Sequence, residues 1–215
     1  MSLISPASLK VRALECVRGD ELVFTDLSFS LGGGEILQVL GENGSGKTSL
    51  LRILSGLSVA NSGEILWQVP PRSAAPASWQ SQLHYLSHAS GVTGILSVEE
   101  NLRYASALAN RPSRNSLEDA LAHVGLTHVR QVLTSRLSAG QRQRVALARL
   151  VLIPALVWLL DEPLTALDQA GKVLVETLLT EHALAGGLAL VATHQPLVIT
   201  RAPIRTLLLS PVSGA

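Results

Sequence analysis

Residues 35–54 read EILQVLGENGSGKTSLLRIL, and the reading of this stretch decides the fold. Residues 35–40 form a short, mostly apolar run that stops at a glycine, the pattern of a buried strand. Gly41, Glu42, Asn43, Gly44, Ser45, Gly46, Lys47 and Thr48 then fit G-x-x-x-x-G-K-[ST] at every position. Residues 49–54 continue as a helix with Leu50, Leu51 and Leu54 on its inward side. Strand, glycine loop and helix N-terminus in that order build a polyphosphate site. Glycines remove the Cβ atoms that would hold a phosphate away, so backbone N–H groups converge on it. The helix adds unpaired N–H groups and the positive end of its dipole. Lys47 is expected to reach the β- and γ-phosphates, and the Thr48 hydroxyl to bind Mg²⁺. A glycine-rich turn can match eight positions by accident, but the strand before and the helix after separate the two readings.

Composition narrows the class. A chain of 215 residues suits one α/β domain with a small subdomain. Its net charge of +1, with both signs interspersed, leaves no basic footprint for nucleic acid. Hydrophobic residues make up 47% and charged ones 15%, an apolar mix that a large core or an interface with another chain would absorb. The longest apolar run, residues 150–160, is interrupted by Pro154 and falls short of the roughly 20 residues a membrane span needs. Cys16 is the only cysteine, so no internal disulfide forms and a reducing compartment is expected. The first ten residues lack the basic and apolar segments of a secretory signal.

Taken in order, residues 9–16 alternate as a half-buried strand, and residues 21–31 read as one strand or a pair of short ones. Gly32-Gly33-Gly34 leads into the central strand, and Ser55-Gly56 closes the helix after the phosphate loop. Asn61-Ser62-Gly63 is a turn before a strand over 64–69, residues 70–81 form an exposed connection, and 83–87 a short strand. Helical periodicity dominates residues 97–148. Ser97 is the expected N-cap, with Glu100 three residues on. Leu102, Ala105, Ala109, Leu117, Leu121 and Val124 recur at helical spacing, broken at Arg111-Pro112-Ser113. A helix over 145–153 ends at Pro154. Residues 155–160 suit a strand buried on both faces of a parallel sheet. A helix over 172–182 and strands over 188–192 and 206–209 complete the chain. Strands alternating with helices imply a mostly parallel sheet.

The apolar strand at 156–160 runs into Asp161 and Glu162. Acids at the carboxyl end of a buried parallel strand stand where ligands bind in open α/β sheets. Asp161 is the expected Mg²⁺ residue, and Glu162 the group that polarises the attacking water. Twenty residues before Asp161, Leu137-Ser138-Ala139-Gly140-Gln141 precedes a helix over 142–152. Ser138 and Gly140 at that helix N-terminus form a second anion site. One nucleotide does not need two such sites from one chain, whereas two chains facing head to tail use both.

Together these residues resemble the ATP-binding cassette ATPases over essentially the whole chain. The match comprises Walker A at 41–48, the signature at 137–141, Walker B at 156–161 with Glu162, a D-loop at Ala166-Leu167-Asp168 and a switch histidine at His194. The resemblance implies that His194 contacts the γ-phosphate and that Asp168 lies at a dimer seam. It also implies ATP with Mg²⁺, a homodimer sandwiching the nucleotide, and separate integral membrane subunits. Two positions depart from the family pattern. Ser87-His88 stands where a Q-loop glutamine is usual, leaving His88 to reach the Mg²⁺ water shell with one acceptor. Arg18 stands where an adenine-stacking aromatic is usual, and a guanidinium plane can stack on a base.

The departures narrow the resemblance. His88, the LSAGQ signature, Trp158 in the Walker B strand and Thr193-His194-Gln195-Pro196 together look like the ATP-binding subunits of bacterial cytochrome c maturation complexes, the haem-exporter ATPases. The expectation is therefore a P-loop NTPase of α/β class: a mostly parallel sheet with an antiparallel N-terminal flank, and a helical subdomain over about 83–148 within one domain spanning 1–215. Lys47, Glu162 and His194 are the expected catalytic residues. Residues 41–48, Arg18, His88, Ser138, Gly140, Gln141 and Asp168 are expected to bind nucleotide, and Thr48, Asp161 and His88 the metal. The implied place is the cytoplasmic face of the inner membrane. Apolar Val92, Ile95, Leu96 and Val98 either dock a membrane partner or fold back onto the core. A soluble cassette ATPase acting on nucleic acid or ribosomes should show basic patches or a long coiled-coil insertion, and a P-loop kinase should lack LSAGQ and the switch histidine. Neither contrary feature set is present in the sequence. Direct haem handling lacks a Cys-x-x-Cys-His pattern.

Overall fold

The computed structural model describes residues 7–68, 79–88, 91–109 and 115–210. Most of the expected exposed connection at 70–81 and the break at Arg111-Pro112-Ser113 lie outside them. The chain divides into two compact units. The first comprises Met1–Tyr85, Leu156–Glu162 and Leu179–Ala215, and the second Leu86–Ala155 and Pro163–Leu178. The helical unit thus runs past the expected range to Ala155 and takes in a segment beyond Glu162.

In the first unit, β1 (Ser8–Arg18), β2 (Glu21–Gly32) and β4 (Ser62–Gln68) form an antiparallel sheet in the order β2-β1-β4. Residues 21–32 are one continuous strand. A bulge in β1 puts Ala13 at φ 44, where its N–H donates to Ser28 Oγ at 2.8 Å. Gly63, at φ 98, packs against the bulge so closely that a Cβ there would lie 2.5 Å from the Ala13 carbonyl oxygen. The glycine is the condition for that approach.

The second sheet has the order β5-β6-β7-β3-β8, with β3 (Ile36–Leu40), β5 (Leu83–Leu86), β6 (Val157–Asp161), β7 (Leu188–Thr193) and β8 (Ile204–Leu208). The β6–β7, β7–β3 and β3–β8 pairings are all parallel. Every residue of β6 and β7 is buried, which is why these runs read as continuously apolar. Helix α1 (Lys47–Leu54) follows β3 and packs Leu50, Leu51 and Leu54 into a core shared with Leu9, Leu14, Val39 and Leu159. Ser55 and Gly56 end it by donating to the Leu51 and Ile53 carbonyls, the αL closure that Gly56 at φ 78 permits.

The second unit holds α2 (Val98–Ala109), α3 (Leu117–His123), α4 (Ala139–Leu152) and the N-terminal part of α5 (Gln169–Leu184). Ser97 caps α2 as expected. Its Oγ accepts from the Glu100 N–H at 3.2 Å, and its own N–H donates to Glu100 Oε2 at 2.7 Å. Helix α4 begins at Ala139, three residues before the Arg142 start expected after the signature and six before the one that hydrophobic periodicity suggests, because Ser138 caps a first turn that is polar. Of the expected docking residues, Val98, the first residue of α2, is fully buried, while Ile95 is 82% exposed. Among the described residues, no helix is long and apolar enough to cross a membrane.

Glu99 anchors the charge network of this unit. Its carboxylate accepts from Arg130 at 2.5 and 3.0 Å, Arg103 at 2.8 Å and Gln131 at 2.6 Å. Arg130, then Arg103, hold the carboxyl down to about 2 from an ordinary value of 4.5. Because the folded state favours the charged form, this stabilisation is complete above pH 4.5 and is lost as pH falls towards 2. Thermal midpoints measured across that window should fall less steeply in Glu99→Gln than in the unaltered chain, with Glu99→Gln the less stable at neutral pH.

Candidate functional site

The parallel register brings three distant segments to one edge of the sheet. Leu40 pairs with Thr193, and Asp161 with Ala192, so β3, β6 and β7 end together. From this edge emerge the phosphate loop, the Asp161-Glu162 pair and the turn carrying His194.

The loop after β3 bends through Gly44 (φ 86) and Gly46 (φ 93), conformations that a Cβ would strain. A Cβ on Gly41 would collide with the Leu209 carbonyl oxygen and with Ser45 Oγ, and one on Gly46 with the Val23 side chain. The bare backbone is therefore required on both flanks. Lys47 is buried, and its Nζ donates to the Gly41 and Glu42 carbonyl oxygens at 2.7 and 2.8 Å. The Ser45 hydroxyl is buried and has no hydrogen-bond partner among the described residues, an orphan donor in the wall of an anion cradle.

Thr48 Oγ1 donates to Asp161 Oδ1 at 3.2 Å, and Asp161 is only 1% exposed. A hydroxyl and a carboxylate this close are hard oxygen donors of the kind Mg²⁺ takes, together with phosphate and water oxygens. The residues fit that ion. Among the described residues, no group of three or more His, Cys, Asp or Glu could hold a metal.

Glu162 sits in the left-handed region at φ 51, held there by its N–H donating to the Ala192 carbonyl at 2.8 Å. Its Oε2 lies 2.9 Å from His194 Nδ1, and its Oε1 lies 3.9 Å from Lys47 Nζ. An ionised carboxylate only accepts, so Nδ1 carries the proton. The Gln195 side-chain amide lies 3.1 Å from Nε2. The pair is a carboxylate with an oriented imidazole, the arrangement of a general base and its partner.

The signature turn belongs to the second unit. Ser138 Oγ accepts from the Gln141 N–H at 3.1 Å, and Gln141 Oε1 accepts from the Ser138 N–H at 3.0 Å. Both side chains are thus used in capping α4. The helix still presents its first N–H groups, for which no intrahelical acceptor exists. Gly140 admits the Ala166 carbonyl, to which a Cβ would come within 2.8 Å, and Ala166 itself lies at φ 63. Asp168 accepts from the Gly171 N–H at 2.8 Å and from Arg144 at 3.0 Å. The first bond and then the second hold its carboxyl below the ordinary range. It therefore caps α5 within its own chain, a role the sequence reading did not assign. His88 is exposed in the bend after β5, and Arg18 is exposed at the end of β1.

Sequence reasoning missed three participants. Arg144 stands one helical turn after Gly140 and bridges the Val124 carbonyl and Asp168. Gln195 fixes the His194 ring. Gln38 interrupts the otherwise apolar β3 and accepts from the Leu197 N–H at 2.6 Å. A lone glutamine in a buried strand was the available signal for the last.

A glycine cradle with a buried lysine, a hydroxyl–carboxylate pair, a carboxylate–imidazole pair and a capped signature turn define an ATP-binding cassette ATPase. The chain belongs to the ABC transporter family, which it matches over residues 24–165. It is 46% identical over 208 residues to the cytochrome c biogenesis ATP-binding export protein CcmA of Methylococcus capsulatus, covering 96% of this chain and 100% of that protein. It is also 46% identical over 189 residues to the protein of the same name from Tatumella citrea, covering 88% and 89%. Among solved structures, a putative ABC transporter ATP-binding protein from Pyrococcus furiosus matches with a TM-score of 0.77 at 27% identity, over 93% of this chain and 97% of that one. Within its family the chain stands with the cytochrome c biogenesis ATP-binding export proteins.

Replacing Lys47 with Ala removes the one buried cation of the cradle. Nucleotide affinity should fall about a hundredfold, or about 3 kcal/mol, as measured by calorimetric titration with ATP. Unchanged affinity would rule out the cradle as the triphosphate site.

Proposed function

We propose that this chain is the ATP-hydrolysing subunit of an ABC export complex serving cytochrome c biogenesis, coupling hydrolysis to export of haem or its release from a carrier. The observation that carries the reading is the convergence of Lys47, the Thr48–Asp161 pair and the Glu162–His194 pair at one sheet edge. The near full-length likeness to cytochrome c biogenesis ATP-binding export proteins supports the choice of complex.

In this reading the loop 41–48 wraps the triphosphate with backbone N–H groups, and Lys47 turns its ammonium from the Gly41 and Glu42 carbonyls to the β- and γ-phosphates. Thr48 and Asp161 would hold a magnesium ion, which would neutralise phosphate charge. Glu162 takes the proton of the attacking water. His194 keeps the carboxylate oriented through Nδ1, and its ring contacts the γ-phosphate. Arg18 stacks on the base.

Two copies face head to tail. The capped α4 N-terminus with Ser138, Gly140 and Gln141 covers the partner copy's γ-phosphate, and Asp168 lies at the seam. The capping box takes up the Gln141 N–H, and the Ala139 and Gly140 N–H groups ahead of it are the ones aimed at the phosphate. The chain works as a peripheral subunit at the cytoplasmic face of the membrane. Integral membrane subunits dock on the segment around Ile95, the large apolar residue left exposed where Val98 turns inward.

Glu162→Gln should keep ATP affinity while cutting turnover by about 10²–10⁴-fold. The variant should elute as a dimer with ATP and as a monomer without it. Wild-type turnover in that variant would remove Glu162 from its role. A photo-crosslinker at Ile95, used on membranes containing the whole complex, should form an adduct with an integral membrane subunit. Adducts only within this chain would count against the docking surface.

A further inference from the structure

We infer that Gln38 is a positioning residue for ATP hydrolysis, its side-chain carbonyl holding the backbone that carries His194. This role rests on the reading of the chain as an ATPase that uses Glu162 and His194.

Gln38 is the single polar residue of β3, flanked in register by Val191 of β7 and Thr206 of β8, and it is 4% exposed. A buried amide in a central strand costs free energy unless it is hydrogen-bonded, and an apolar residue would otherwise fill the site well. Its Oε1 accepts from the Leu197 N–H at 2.6 Å, across 159 positions of sequence. Leu197 is itself buried and lies three residues past His194.

The turn between them is short and depends on side chains. Thr193 is the last residue of β7 and lies opposite Leu40. Its Oγ1 accepts from the Gln195 N–H at 3.1 Å, and the Gln195 amide reaches His194 Nε2 at 3.1 Å. Pro196 has no N–H to offer. Residues 195–203 belong to no helix or strand. The strand ladder therefore fixes the entry of the turn, and the Gln38 bond fixes its exit. With both ends held, the imidazole stays 2.9 Å from Glu162. The acceptor stands in the same strand as the phosphate loop, three residues before Gly41. The turn that carries the histidine is thus referenced directly to the element that cradles the phosphates. A displacement of about 1 Å in such a group costs up to about 10²-fold in rate.

The test is ATP turnover by the full chain in complex with its membrane subunits. Gln38→Met keeps side-chain length and removes the carbonyl. It should lower kcat about tenfold while leaving KM for ATP within about twofold. Gln38→Glu keeps an oxygen at the same reach and should restore kcat to within about threefold of wild type. Unchanged kcat in Gln38→Met overturns the role. So does a parallel loss of kcat and nucleotide affinity, which marks general damage to the phosphate-loop strand, and so does a Gln38→Glu no better than Gln38→Met. Should Gln38→Met fail to fold, amide hydrogen exchange on the wild-type chain decides. The Leu197 N–H should be protected by about a hundredfold or more, and exchange at the unprotected rate overturns the role. Lys47→Ala separates the two levels. Turnover that persists without Lys47 removes the ATPase site itself, whereas Lys47-dependent turnover indifferent to Gln38 removes only the positioning role.

Discussion

The register of three parallel strands is the constraint on which the rest of the site depends. With β6 and β3 paired to either side of β7, Asp161 falls opposite Ala192 and Leu40 opposite Thr193. A one-residue slip in either ladder would turn every side chain of the slipped strand to its opposite face. Asp161 would then leave Thr48, and Glu162 would leave His194. Burial enforces the register, since all of β6 and β7 lies inside the protein. The same apolar continuity that hides these strands from water holds their polar ends in line.

Charge is managed at close range once the strand ends are aligned. A buried ammonium is costly without partners. Lys47 has two carbonyl oxygens at bonding distance and a carboxylate at 3.9 Å, which satisfies two of its three donors and leaves the third directed by attraction alone. Glu162 is placed between that cation and an imidazole. Its backbone stands at φ 51, a conformation that costs about 1–3 kcal/mol in a residue with a side chain. The strand-end bond to Ala192 holds it there, with the carboxylate 2.9 Å from His194 Nδ1.

The helical unit shows a different economy. Ser138, Gln141 and Asp168 all make capping bonds within their own chain. These residues therefore shape helix ends first. Arg144 ties Asp168 to the end of α3, while Gly140 lets the Ala166 backbone approach α4. Signature turn and D-loop thus form one packed assembly within this unit.

Local chemistry with a short sequence span was legible without coordinates. The strand–loop–helix order at 35–54, the Ser97 cap, the αL stop at Gly56 and the acidic end of β6 all follow from residue type and spacing, because the groups that interact are neighbours in the chain. Periodicity failed where a helix begins with polar residues, so α4 started earlier than its apolar face suggested. The sequence by itself determined that a glycine-rich loop between strand and helix, an acidic strand end and a signature turn at a helix start exist. Only the tertiary structure decided which partners they take: Glu162 with His194, Asp168 with Arg144, Gln38 with Leu197. Those pairs lie 24 to 159 residues apart. Their meeting is set by strand register and helix packing, which no local propensity encodes.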